Sequence, residues 1–247
     1  MVVMKTALIT GCNGGLGQRL LTRFASQGCN VIACSIFEDD AFLKKCSELE
    51  KEYGITINHI VYDSTNSASL NSTLDYIEAF EGEINILVNN AGINIMKPLL
   101  YTEIEDLQKT FMINYFSTVL ITKKVAEKMI RQGEGAIVNV SSMGSFGHQP
   151  GGACYDASKA ALNQFTVSIA QELAPFGVRV NAVAPAPMNT PMFEQMSDKA
   201  KKNLIKAVAL KRPAELDEVI NLISFLASCE ASYITGQIIR IDGGAVI

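Results

Sequence analysis

Short β-branched runs recur along this chain, separated by longer stretches of helical periodicity: TALIT at 6–10, NVIACS at 30–35, INHIVYD at 57–63, NILVNN at 85–90, AIVNVSS at 136–142, RVNAVAP at 179–185 and QIIRID at 237–242. That alternation predicts parallel strands joined by crossover helices. The runs are nearly continuous in apolar residues, the pattern of strands covered on both faces. An α/β fold follows, a doubly wound parallel sheet of about seven strands with helices on both faces. The 247 residues carry no repeat, low-complexity segment or linker, so one domain over 1–247 is expected. The rhythm breaks between Pro185 and Pro213, where APMNTPMFEQMSDKAKK extends a strand-to-helix connection. A connection of that length predicts a substrate lid at about 186–212, its methionines and Phe193 either lining an apolar pocket or packing a surface helix.

Composition narrows the function. Charged residues make up 19% of the chain, the net charge is −4 and no block of Lys or Arg occurs, which argues against a nucleic-acid surface. The six cysteines form no CxxC pair or regular framework, as in a protein with reduced, buried thiols. The amino end runs straight into the first strand pattern without a leader, and no apolar run reaches membrane-spanning length, so a cytoplasmic protein is expected. Two histidines and no paired cysteines give a metal site little support. His59 reads as packed within a strand and His148 as a pocket or loop residue.

The first strand empties into TGCNGGLGQRLLTRF, which places Gly11, Asn13, Gly14, Gly15, Leu16 and Gly17 where the chain turns into a helix. Glycine allows close backbone approach, and a helix N-terminus attracts anions, so the turn suits a dinucleotide pyrophosphate. The next carboxyl-end loops offer Asp63 and Ser64 after the third strand and Asn90, Ala91 and Gly92 after the fourth. The fifth strand ends at Ser141 and Ser142, and neighbouring residues there point oppositely. Tyr155 and Lys159 follow, one helical turn apart, a spacing that fits either a shared functional face or a solvated pair.

TGxxxGxG, NNAG, Asn114 in FMINYFS, Ser142, the YxxxK of Tyr155 and Lys159, and a late DGG together resemble the short-chain dehydrogenase/reductase family, over essentially the whole chain. The tail FLASCEASYITGQIIRIDGG is most similar to the 3-oxoacyl-acyl-carrier-protein reductase branch. The resemblance implies a Rossmann-type sheet and an NAD(P)H-dependent enzyme interconverting a ketone and a secondary alcohol, with a 3-oxoacyl thioester among its candidate substrates and an acyl carrier protein among its candidate partners. It makes Tyr155 the general acid, with a pKa drawn down by the Lys159 cation. Lys159 also holds the nicotinamide ribose, Ser142 the substrate oxygen and Asn114 a proton-relay water. Pro185 and Thr190 line the nicotinamide, and Ser35 stands at the ribose end of the second strand. A sugar or polyol dehydrogenase of the same family and a non-catalytic dinucleotide-binding sensor are the competing readings. A sugar-nucleotide epimerase is disfavoured by the chain length and the glycine spacing.

Several positions depart from the family pattern. Ala186 follows Pro185 where PG is common. Ser35 replaces the Asp of NAD users, while Gly14 and Ile36 replace the cations of NADP users, so NAD and NADP are not separated. Glu38, Asp39 and Asp40 read first as a solvated helix start. Phe176 takes the place of a basic docking residue, with Arg131 and Arg179 nearby. A homotetramer is implied, with Phe165 on the helix of Tyr155 and the tail GGAVI at subunit contacts.

Overall fold

The structure is a computed structural model that describes residues 4–147, 150–194 and 198–246. Its strands are β1 (Thr6–Thr10), β2 (Asn30–Ser35), β3 (Ile57–Val61), β4 (Ile86–Asn89), β5 (Gly135–Val140), β6 (Val178–Pro185) and β7 (Ile238–Ile241). They form one sheet in the order β3-β2-β1-β4-β5-β6-β7, with every ladder parallel. The helices are α1 (Gly15–Ser26), α2 (Asp40–Tyr53), α3 (Ser67–Ala79), α4 (Ile104–Phe111), α5 (Ser117–Gln132), α6 (Ala153–Leu173), α7 (Pro191–Glu194), α8 (Asp198–Ala207) and α9 (Leu216–Ala227). No helix among the described residues is long and apolar enough to cross a membrane.

The continuous apolar runs have a direct cause in the layering. Ala7, Ile9, Val31, Val88 and Val138 pack with Phe24 of α1, Phe42 of α2 and Ile223 of α9 on one side of the sheet. Leu8, Ile32, Leu87 and Ile137 face Ile77 of α3, Ile121 and Met129 of α5 and Ala170 of α6 on the other. Successive strand residues therefore enter opposite cores, and both sets are mainly apolar. Local chemistry sets the helix limits: the Asp39 side chain accepts from Phe42 N to start α2, and Gly54 ends it with φ 65°.

Two strands stop two residues earlier than the sequence pattern predicts, and β4 and β7 stop one residue earlier. β3 ends at Val61, paired with the last residue of β2, and the Asp63 carboxylate accepts from Thr65 N and Oγ1 in the loop beyond. β5 ends at Val140, so Ser141 and Ser142 leave the ladder and lie at the sheet's carboxyl edge. Sheet order reverses between β1 and β4, the crevice where open α/β sheets take ligands.

Candidate active site

Gly11 turns the chain out of β1 with φ 72°, and a Cβ there would lie 3.0 Å from Ala91 Cα. At Gly17 a Cβ would fall 2.0 Å from Gly11 O, so the first turn of α1 can close on the loop only as glycine. Gly14 differs: a Cβ there would stand 3.5 Å from Gly11 O, ordinary contact. Packing demands glycine at 11 and 17 but leaves space over Gly14. No side chain caps the N-terminus of α1, and its first turn holds no acid. Asn13 Nδ2 is buried with no hydrogen-bond partner among the described residues. An open backbone, a helix N-terminus and a spare donor fit the phosphates of a dinucleotide.

The loop is braced from both sides. Cys12 N donates to Cys34 O of β2. On the other flank, Thr10 Oγ1 accepts from Asn90 N and Ala91 N, each at 3.0 Å, while Asn90 Nδ2 donates to Thr10 O at 2.9 Å. NNAG therefore first locks β4's end to β1, and Ala91 and Gly92 follow as bare backbone beside the glycine turn.

Across the crevice α6 delivers Tyr155 and Lys159. Lys159 is buried and donates from Nζ to Val140 O at 2.8 Å. Its Nζ lies 5.9 Å from the Tyr155 ring centre. A Cβ on Gly92 would sit 3.3 Å from both Lys159 Nζ and Asn114 Oδ1, so this glycine keeps the space before the lysine open. Ser142 Oγ accepts from Gly144 N at 3.1 Å and stands close enough to the Tyr155 phenol to influence its titration. Ser141 points elsewhere, its Oγ reaching Lys159 O and Ser145 Oγ at 3.4 Å.

Asn114 lies in a π-helical turn, Met112–Phe116, that joins α4 to α5. Its Oδ1 accepts from Ile93 N at 2.9 Å, and its Nδ2 donates to Ile93 O at 3.0 Å and Ser158 Oγ at 2.9 Å. Ser158 in turn donates to Tyr155 O. Asn114 thus latches the segment after Gly92 to the helix carrying Tyr155 and Lys159, and π turns of this kind often occur at functional sites.

Electrostatics differ from the sequence expectation. Burial pushes the Tyr155 phenol above its ordinary value of 10.0; the Ser142 hydroxyl opposes this and Asp156 adds to it. Burial also brings Lys159 down from 10.5 to about 8. The expected drop in Tyr155 caused by a lysine cation is absent from this arrangement, because both groups are desolvated and Nζ is directed at Val140 O.

The remaining predicted positions are dispersed around this centre. Ser35 Oγ donates to Phe37 O and meets His59 Nε2, both at 2.7 Å. Ser64 is buried beside Asp63. Pro185 ends β6, and Thr190 Oγ1 accepts from Phe193 N at the start of α7. The predicted lid springs from a closed stem, with Ala214 N donating to Pro187 O and Asn189 N to Ala214 O, each at 2.9 Å. His148 lies outside the described residues, and no group of three or more metal-ligating side chains occurs among those described.

Sequence reasoning missed the residues that hold the centre in place. Asn89 Nδ2 donates to Asn139 Oδ1 at 2.7 Å and to Thr122 Oγ1 at 2.9 Å, and Asn139 Nδ2 donates to Thr166 Oγ1 at 2.8 Å. This buried chain ties β4 and β5 to α5 and α6. The available signal was an asparagine in each of two apolar strand runs, a costly placement unless hydrogen-bonded.

A family model described as Enoyl-(Acyl carrier protein) reductase matches residues 11–246. The 3-oxoacyl-acyl-carrier-protein reductase of Thermotoga maritima is 37% identical over 245 residues, 98% of each chain. Cyclopentanol dehydrogenase of a Comamonas species is 36% identical over 242 residues, covering 97% of this chain and 96% of that one. The crystal structure of NAD+-bound xylitol dehydrogenase superposes with a TM-score of 0.88 at 28% identity, covering 97% of this chain and 98% of the other. On these matches and the fold they share, the chain belongs to the short-chain dehydrogenase/reductase family and is an oxidoreductase that interconverts a ketone and a secondary alcohol.

Proposed function

We propose that this chain reduces a small-molecule ketone with a nicotinamide dinucleotide, using Tyr155 as proton donor, and catalyses the reverse oxidation by the same groups. The observation that supports the reading is the proximity of Ser142, Tyr155 and Lys159, with bare Gly92 beside the lysine. The dinucleotide supplies or accepts hydride at the carbonyl carbon. Gly11, Asn13, Gly14, Gly15, Leu16 and Gly17 would hold its phosphates, Asp63 and Ser64 its adenine end, Asn90, Ala91 and Gly92 the middle, and Tyr155, Lys159, Pro185 and Thr190 its nicotinamide end. A Tyr155 phenol held above 10.0 is protonated throughout the neutral range, the state needed to donate to a developing alkoxide. Ser142 orients the phenol and adds a second hydroxyl at the same oxygen. Asn114 acts as the latch described above and keeps the relay-water role the resemblance implies.

The chain is read as one domain, with 186–212 as a lid over the substrate. A carrier-protein substrate has weaker support than a free ketone or small thioester. Phe176 is exposed in the place of a docking cation, and Arg179 is consumed internally, its guanidinium donating to Leu226 O, Ile234 O and Ser228 O. The free thiols, buried at Cys12, Cys29, Cys34, Cys46 and Cys154 and exposed at Cys229, are consistent with a cytoplasmic setting. The exposed apolar run of Leu99, Leu100, Tyr101 and Ile104 supports a homotetramer, whose subunit contacts would cover it. A screen of acetoacetyl thioesters, keto sugars and diketones with both reduced cofactors tests the reading. Turnover of at least one ketone is expected; dinucleotide binding without turnover of any would favour the sensor.

A further inference from the structure

The end of β2 carries a buried relay that the catalytic centre does not use. Ser35 Oγ lies 2.7 Å from His59 Nε2, and on the far edge of the ring His59 Nδ1 lies 3.4 Å from Glu38 Oε2. Register creates the pair: Ala33 is opposite His59, so Ser35, two residues on, projects from the same face. Phe42 packs edge-on against the imidazole at 5.2 Å. The His59 side chain is 8% exposed and that of Glu38 is 58% exposed. A fixed ring thus holds a carboxylate at the rim of the strand end.

The position of this rim gives the relay its meaning. The Cys12–Cys34 backbone hydrogen bond joins the glycine loop to β2, while Tyr155 and Lys159 stand on the β4–β5 side of β1. A dinucleotide with its phosphates on the loop and its reactive ring at Tyr155 must send its other nucleoside toward residues 35–39. An acid there accepts from a ribose 2′-hydroxyl and repels a 2′-phosphate. Ser35 carries no charge, and its hydroxyl is engaged between Phe37 O and His59 Nε2. Asp39 is occupied as the cap of α2, which leaves Glu38 as the rim acid wired to the strand end. Two cations on the neighbouring helices turn elsewhere: Arg19 of α1 faces Asp217 at 3.7 Å and Lys44 of α2 faces Glu48 at 3.9 Å.

Building on the dinucleotide reading, we propose that Glu38, positioned by His59, sets cofactor choice in this chain by favouring the 2′-hydroxyl of NAD(H) over the 2′-phosphate of NADP(H). Glu38 makes the contact, and His59 is the positioning residue that links it to Ser35.

The test is a fluorescence titration of the purified protein with NADH and with NADPH, comparing the ratio of the two Kd values. The native chain should bind NADH about tenfold more tightly, the effect of one carboxylate near a doubly charged phosphate in a solvated rim. Glu38→Gln, at an exposed site, should bring that ratio to about unity, and His59→Gln should move it the same way. The double variant should go no further than Glu38→Gln alone, since both act on one contact. A merely structural role for His59 would weaken both cofactors in parallel and leave the ratio fixed. A ratio unchanged by Glu38→Gln, additive effects of the two substitutions, or a native preference for NADPH would each overturn the proposal while leaving the dinucleotide reading intact. Failure of both cofactors to bind would overturn that parent reading and this inference with it.

Discussion

Replacing Lys159 with Met should make the protein more stable while it destroys activity. The lysine is buried, its Nζ is directed at one backbone carbonyl, and burial lowers its pKa from 10.5 to about 8. A depression of that size represents about 3 kcal/mol against the charged form. The unfolded chain binds the proton more readily than the fold, so stability rises with pH between the two pKa values, and the penalty is fully present below about 8. Met fills a similar volume without charge, but Val140 O loses its donor, a cost of about 1–2 kcal/mol. The net gain near neutral pH is about 1–2 kcal/mol, equivalent to roughly 3–6 °C in Tm for a chain of this length. Thermal and urea unfolding at equal protein concentration, near neutral pH and again above the ordinary lysine pKa, would measure it. The advantage should vanish at the higher pH, where both states of the native chain are neutral. A variant less stable than the native protein near neutral pH, or a gain that persists in alkali, would refute the reasoning.

Two substitutions in the glycine loop should separate packing from binding. Gly17→Ala drives a Cβ into the backbone of Gly11 and Cys12 and should cost about 2–3 kcal/mol in urea unfolding. Gly14→Ala meets only ordinary contact, so the melt should stay within about 0.5 kcal/mol of native while dinucleotide affinity falls about tenfold or more. For assembly, Leu100→Glu is a cleaner probe than Phe165→Glu. Leu100 is 92% exposed, whereas Phe165 packs against Tyr115 within the protomer at 6.0 Å between ring centres. Light scattering should show the proposed tetramer for the native chain and smaller species for the variant, since an unpaired charge in an apolar contact is costly.

The sheet was legible because its cause is local. Ala7, Leu8 and Ile9 must all be apolar when cores lie on both sides, and that writes a run into the sequence. Gly11 and Gly17 were legible for a similar reason: each answers a steric demand that no other residue meets. What the sequence did not disclose are pairings between distant segments. Asn89 meets Asn139 across 50 positions, and Ser35 meets His59 across 24, through a strand register that periodicity does not specify. The π turn at Asn114 was hidden too, since no Gly or Pro marks it and the side-chain bonds to Ile93 that accompany it join segments 21 residues apart. The Tyr155 expectation failed for a physical reason: the i, i+4 spacing gives proximity, but burial governs both groups.

The most direct test of the account is Tyr155→Phe, which removes one hydroxyl and keeps the ring. With a ketone that the native protein turns over, kcat should fall about a thousandfold or more, the range for loss of a positioned general acid together with its hydrogen bond to the oxygen. The Kd for the reduced dinucleotide should stay within about threefold, because the phenol proton is not among the groups that hold the phosphates. Turnover within tenfold of the native rate would contradict the assignment of Tyr155 as the proton donor, and with it the mechanism.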